Sequence, residues 1–320
     1  MPSLRLVFFG TPAFAVPTLR ALVEAGYPVA AAVTQPDKAR DRGQRLKPGA
    51  VKEAAAALGI PVLQPARLRD EDFQRALSAL GADLGVVAAY GKILPPAVLD
   101  APRFGLVNVH ASLLPRWRGA SPIQRAIMAG DAETGVSIMR IVQALDAGPV
   151  FDTARRAIGP DETAEEVERD LAVLGAGLLV RVLGAMERGE ARETPQDEAA
   201  VAYAPPLTKE DGRIDWSRAA SDIHNQVRAL QPWPHAFTSL AGARLIVLRT
   251  ARPQAPPVPP GDAGDAPPGT LLSLAGPSLA VATGAGPLHL VRVQAEGRRP
   301  LTGREFAAGA RLKPGIRFGA

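Results

Sequence analysis

The strongest constraint on this fold is a series of short apolar runs, separated by amphipathic stretches, across residues 1–150. Leu4–Gly10, Pro28–Thr34, Pro61–Leu63 and Leu84–Ala89 are strand-sized and nearly continuous in apolar residues. Such runs belong in strands covered on both faces, as in parallel sheets. Helical patterns at Pro12–Ala25, Val51–Leu58 and Asp70–Leu80 supply the covering layers. The pattern predicts an α/β fold with a Rossmann-like, mostly parallel sheet. Leu106–Ala111 continues the series, Thr134–Val142 and Val150–Ile158 read as an antiparallel pair, and Thr163–Arg188 reads as a long helix.

The chain changes character after that helix. Residues 190–205 carry a net charge of −3 and run into Ala204-Pro205-Pro206 at the boundary, as a linker would. Beyond a helical pattern at Ser217–Leu230, strand-like pieces recur at Arg244–Thr250, Gly269–Leu274, Ser278–Thr283 and Pro287–Val293. Short strands punctuated by Gly and Pro predict a smaller OB-like β-barrel domain. The expected organisation is a domain at 1–189, a linker at 190–205 and a second domain at 206–320. Residues 253–269 hold seven Pro and three Gly, a composition that cannot build a core and reads as a surface loop.

Several chemistries drop out on composition. With no cysteine, the chain has no disulfide framework, thiol nucleophile, iron–sulfur cluster or cysteine zinc site. Its four histidines are scattered, so no metal is expected. The turn after the first run, Gly10-Thr11-Pro12-Ala13-Phe14, lacks G-x-G-x-x-G, and no P-loop occurs. No run approaches the ~20 apolar residues of a membrane span, and the first five residues lack a signal-peptide layout, so a cytoplasmic protein is expected. Net charge is +5 and sits unevenly, with +2 over residues 1–189 and +6 over 206–320. A basic second part suits a polyanionic partner.

The informative stretch is Gly105–Gly119. On a strand, Asn108, His110 and Ser112 share one face, each ~6.6 Å from the next, while Val107 and Val109 face the core. Polar groups on an otherwise apolar strand are costly without a use. These also sit at its C-terminal end, where open α/β sheets bind ligands. Asp146, in the turn-like Leu145-Asp146-Ala147-Gly148, is a candidate carboxylate partner for His110. Asn, His and Asp suit carbonyl transfer to an amine: the amide donates to the oxyanion and the imidazole handles the proton. A serine hydrolase using Ser112 would need the sharp G-x-S-x-G turn, which is missing.

Asn108 through Gly119, with Ser112-Leu113-Leu114-Pro115 inside it, resembles the signature of the folate-dependent formyltransferases, and Leu145-Asp146-Ala147-Gly148 resembles their catalytic aspartate segment. Phe9-Gly10-Thr11-Pro12, Thr34-Gln35-Pro36-Asp37, Ala89-Tyr90-Gly91, Ile93-Leu94-Pro95 and Pro232-Trp233-Pro234 bring the resemblance closest to the branch acting on methionyl-tRNA. The resemblance implies formyl-tetrahydrofolate as donor, initiator methionyl-tRNA as acceptor and a monomer. It implies Asn108, His110 and Asp146 as catalytic, and Ser112, Leu113, Leu114 and Pro115 as folate contacts. The polar loop Gln35–Gly49 carries Lys38, Arg40, Arg42, Arg45 and Lys47, which the resemblance assigns to tRNA. A small amine such as an amino nucleotide sugar is the alternative acceptor. A non-catalytic RNA- or folate-binding protein is the alternative role.

Overall fold

The computed structural model describes residues 3–40, 45–251, 266–274 and 276–319. The chain forms two compact units, one of Met1–Pro122, Glu133–Ala157 and Glu168–Pro205, the other of Ile123–Ala132, Ile158–Val167 and Pro206–Ala320.

The first unit runs β1 (Leu6–Gly10), α1 (Val16–Glu24), β2 (Val29–Val33), β3 (Lys38–Arg40), β4 (Arg45–Lys47), α2 (Ala50–Ala57), β5 (Val62–Leu63), α3 (Glu71–Ala79), β6 (Leu84–Ala88), α4 (Pro96–Leu99), β7 (Leu106–His110) and β8 (Arg118–Gly119). After α5 (Pro122–Ala129), nearly all of which belongs to the second unit, come β9 (Glu133–Arg140), β10 (Val150–Ala157), α6 (Ala164–Glu187), whose first residues up to Val167 also belong to the second unit, and β11 (Tyr203–Ala204). Seven strands form one sheet in the order β10-β9-β7-β6-β1-β2-β5. β9 and β10 are antiparallel to their neighbours and the remaining pairs are parallel. Every residue of β1 and of β6 is buried, which is why neither alternates in sequence. Val7, Phe9, Val33, Phe73, Leu77, Tyr90 and Leu106 pack into one core cluster. Each large apolar side chain buried there contributes ~1.5–3 kcal/mol.

The second unit adds α7 (Ala220–Ala229), β12 (Ala236–Leu240), β13 (Ala243–Ala251), β14 (Leu271–Ser273), β15 (Leu279–Ala282), β16 (Pro287–Ala295), β17 (Leu301–Thr302) and α8 (Gly303–Ala310). Its antiparallel sheet runs β12-β13-β16-β15-β14, with β17 on β16. Trp216, Ile223, Val247, Leu290 and Phe318 belong to its core. A reciprocal cap starts α8: Thr302 Oγ1 accepts from Glu305 N–H at 3.2 Å, and Glu305 Oε2 accepts from Thr302 N–H at 2.8 Å. No helix among the described residues is long and apolar enough to cross a membrane.

Two expectations need correction. Gln35–Gly49 is not simply a polar loop, because β3 and β4 pair within it as an antiparallel ribbon. Strands of three residues, rich in Lys and Arg, leave no hydrophobic period to read. The Pro-rich stretch 253–269 is also shorter as a loop than it reads. Gly269 N–H donates to Ala282 O and Gly269 O accepts from Phe318 N–H, which ties its last residue to the sheet. Residues 252–265 lie outside the described residues.

Candidate functional site

β7 pairs with β6 in parallel and with β9 antiparallel, so its C-terminal end opens toward the loops beyond the sheet. Val107 and Val109 are buried in the core, and Asn108 and His110 take the opposite face, as alternation requires. His110 is 5% exposed. Its Nε2 lies 3.0 Å from Trp117 O, and a carbonyl only accepts, so Nε2 carries the proton and donates. Nδ1 is then the lone-pair nitrogen of the neutral ring, 3.7 Å from Asp146 Oδ2. Asn108 is half-buried, and its side-chain amide makes no hydrogen bond among the described residues.

Asp146 reaches His110 from a turn in which its own φ is +46°, the left-handed region that non-glycine residues seldom occupy. Gly148 follows in the same turn, where a Cβ would lie 1.9 Å from Arg140 O. The Asp146 carboxylate accepts from Gly119 N–H at 2.8 Å through Oδ2. That anchor leaves the charge aimed at His110.

The connection from Ala111 to Trp117 folds back on itself. Ser112 is fully buried, and its hydroxyl donates to Arg116 O at 2.7 Å. Ser137 Oγ donates to Ser112 O at 2.8 Å and accepts from Leu114 N–H at 3.1 Å. The Ser112 hydroxyl is thus engaged inside the turn, just beyond the end of β7 at His110. Leu113, Leu114 and Pro115 are half-buried.

Sequence reasoning passed over a second feature. β1 sends the chain to β2 on one side, while β6 lies on its other side, so the strand order reverses between β1 and β6. A cavity of about 170 Å³ sits beyond those strand ends, lined by Thr11, Gln35, Asp37, Lys47, Tyr90 and Gly91 among others. This is the crevice where open α/β sheets bind ligands. Gln35 Nε2 donates to Tyr90 O at 2.7 Å. Asp37 accepts from Lys52 Nζ at 2.6 Å and from Gln64 Nε2 at 2.8 Å. The Lys52 ammonium above all, with the Gln64 amide, holds the Asp37 carboxyl below its usual range.

A depressed carboxylate value has a fixed sign for stability. The contribution is complete above the unfolded value of ~3.9 and is lost as pH falls through the lower folded value. Asp37→Asn is expected to melt below the wild type at neutral pH, with the difference closing in acid. Melting curves over about pH 6 to 2 check this, and a difference constant across that range would contradict it.

Of the basic residues assigned to tRNA, Lys47 is exposed and lines this cavity. Lys38, Arg40 and Arg45 lie on the ribbon, with Lys38 opposite Lys47 and Arg40 opposite Arg45. Arg42 lies outside the described residues. In the second unit Arg249, Arg298, Arg299, Arg304 and Arg311 are exposed, whereas the Arg244 guanidinium packs over Phe237 at 3.9 Å from the ring centre. Among the described residues no group of three or more His, Asp or Glu could hold a metal ion.

Comparison with known proteins gives a consistent picture. The family model described as formyl transferase matches residues 4–183, and that of the formyl transferase C-terminal domain matches 206–311. The chain is 48% identical over 317 residues to methionyl-tRNA formyltransferase of Heliobacterium modesticaldum, covering 99% of this chain and 100% of that one. It is 47% identical over 320 residues to the enzyme of the same name from a Methylobacterium species, covering 99% of both. Among solved structures, an N-formyltransferase from Helicobacter canadensis, in complex with folinic acid and dTDP-3-aminofucose, superposes with a TM-score of 0.68 at 15% identity, covering 92% of this chain and 100% of that one. HypX from Aquifex aeolicus, in complex with tetrahydrofolic acid, gives 0.63 at 16% identity, covering 95% of this chain and 47% of that one. At such identities these two structures speak for the fold.

Proposed function

The chain belongs to the formyl transferase family, with methionyl-tRNA formyltransferases as full-length relatives, and we propose that it moves a formyl group from formyl-tetrahydrofolate to the free α-amine of initiator methionyl-tRNA. The observation that carries this reading is the grouping at the end of β7: an uncommitted Asn108 amide beside a histidine whose open nitrogen faces a carboxylate.

The residues fit a folate donor. Leu113, Leu114 and Pro115 offer an apolar edge to a flat heterocycle, and Asn108 offers a free donor to a formyl oxygen. The attacking α-amine has an ordinary pKa of ~7.7–8.0, so its neutral form is plentiful and needs little activation. As nitrogen bonds to the formyl carbon, the carbonyl oxygen gains charge and Asn108 donates to it. Nδ1 of His110 takes the proton the amine must shed, and the Asp146 carboxylate stabilises the imidazolium. The proton then passes to the folate nitrogen as its bond to the formyl carbon breaks. The His110–Trp117 bond keeps the ring oriented throughout.

The ribbon speaks for a nucleic-acid acceptor. The backbone register of β3 and β4 sets Lys38 across from Lys47 and Arg40 across from Arg45. A short ribbon of this basic composition suits contacts to nucleic-acid phosphates. Lys47 also reaches the cavity at the strand-order reversal, which suits the aminoacyl end of the same acceptor. An amino nucleotide sugar would leave both the ribbon and the exposed arginines of the second unit without a role.

Ionic strength tests the acceptor. Each phosphate contact removed should lower the slope of log affinity against log salt by about one. Lys38→Ala combined with Lys47→Ala is expected to lower it by about two while the rate at saturating tRNA stays near wild type. Arg42→Ala should weaken use of tRNA in the same manner. An unchanged slope in these variants would remove the ribbon from tRNA binding.

A further inference from the structure

The segment at 190–205, which reads as a linker, touches the turn that carries Asp146 and two strands beside it in the first unit. Thr194 and Val150 exchange backbone hydrogen bonds at 2.8 and 2.9 Å. Gln196 Nε2 donates to Asp146 O at 2.8 Å and to Gly148 O at 2.7 Å. β11 then pairs in parallel with β8, whose Gly119 N–H anchors the Asp146 carboxylate. Gly119 has φ +126°, and a Cβ there would lie 2.6 Å from Ala204 O, so this approach requires glycine.

Arg118 fixes the direction of the Gln196 amide. Its side chain is 3% exposed, and a charge so buried is retained only where it is paired. Arg118 Nε donates to Gln196 Oε1 at 3.0 Å, and its terminal nitrogens donate to the Glu198 carboxylate at 3.2 and 2.8 Å. Arginine has no acceptor, so the oxygen of Gln196 must face Arg118 and the NH₂ must face the turn. Both donors of that NH₂ are then spent on the carbonyls either side of Ala147. They clamp the peptide planes of a turn whose key residue holds an unfavourable φ.

We propose that Gln196 is a positioning residue for the reaction, holding the Asp146 turn so that the carboxylate faces His110, with Arg118 setting the orientation of its amide. The inference rests on the reading of Asp146 as the partner of His110. The acidic segment is thus part of the active-site scaffold. Gln196 touches no substrate and acts through Asp146 alone.

The test compares single-turnover formylation of methionyl-tRNA by the wild type, Gln196→Met, Asp146→Asn and the double variant. Methionine keeps the length and loses both donors. Gln196→Met is expected to lose about a hundredfold in rate, the scale of a ~1 Å misplacement, with KM for donor and tRNA unchanged. In the Asp146→Asn background the same change should cost nothing further, since two residues acting as one unit are not additive. Gln196→Glu, which keeps the acceptor for Arg118 and loses the donors, should show the same loss and covers the case in which the methionine variant does not fold. Wild-type rates in both Gln196 variants, or a multiplicative loss in the double variant, would overturn the proposal. An Asp146→Asn protein with wild-type turnover would instead bring down the reading of the site, and this inference with it.

Discussion

Replacing His110 by alanine is expected to lower formyl transfer by about 10²- to 10⁴-fold, the range of a positioned acid–base group, while tRNA affinity stays near wild type. The reason lies in the two nitrogens. Nε2–H is committed to Trp117 O, and Nδ1 is the acceptor left beside Asp146. The substitution removes the acceptor without touching the ribbon. His110→Gln separates orientation from basicity, since an amide can still donate toward Trp117 O but cannot take the proton. It should fall as far as the alanine variant. Rapid-quench kinetics with labelled donor, alongside filter binding of tRNA, check both halves. Wild-type turnover in either variant would remove His110 from the mechanism.

Asn108→Ala is expected to cost about 10²- to 10³-fold in kcat, the usual loss on deleting one oxyanion donor. Stability should scarcely change, because the half-buried amide makes no hydrogen bond that the fold would miss. That contrast separates Asn108 from Ser112, whose buried hydroxyl closes a turn and whose loss would be felt in folding. Asn108→Asp should be worse than alanine, since a carboxylate meets the developing oxyanion with like charge. A melting temperature far below wild type with kcat intact would contradict the assignment.

The alternation along β7 was legible because a strand's period of two needs only local sequence. Asn108 and His110 fall on one face and the valines between them on the other, and the structure has them so. The parallel sheet was legible for a similar reason, since β1 and β6 are wholly buried and their apolar runs show it. What escaped depends on long-range or backbone events. The paired β3 and β4 have no apolar stripe, so only their cross-strand partners define them. The strand after His235, β12, escaped because Thr238 and Ser239 interrupt its apolar residues directly after a Pro-rich turn. Nothing local announces that Asp146 adopts φ +46°, or that Gln196 reaches back 50 residues to hold it. The cavity at the strand-order reversal is assembled from three loops after three different strands, so it appears only once the sheet order is known.

The most direct test of the account is formyl transfer from formyl-tetrahydrofolate to charged initiator methionyl-tRNA, with uncharged tRNA and free methionine alongside. The account predicts N-formylmethionyl-tRNA from the charged tRNA and no product from the other two. No transfer to charged tRNA, or equal formylation of free methionine, would contradict it.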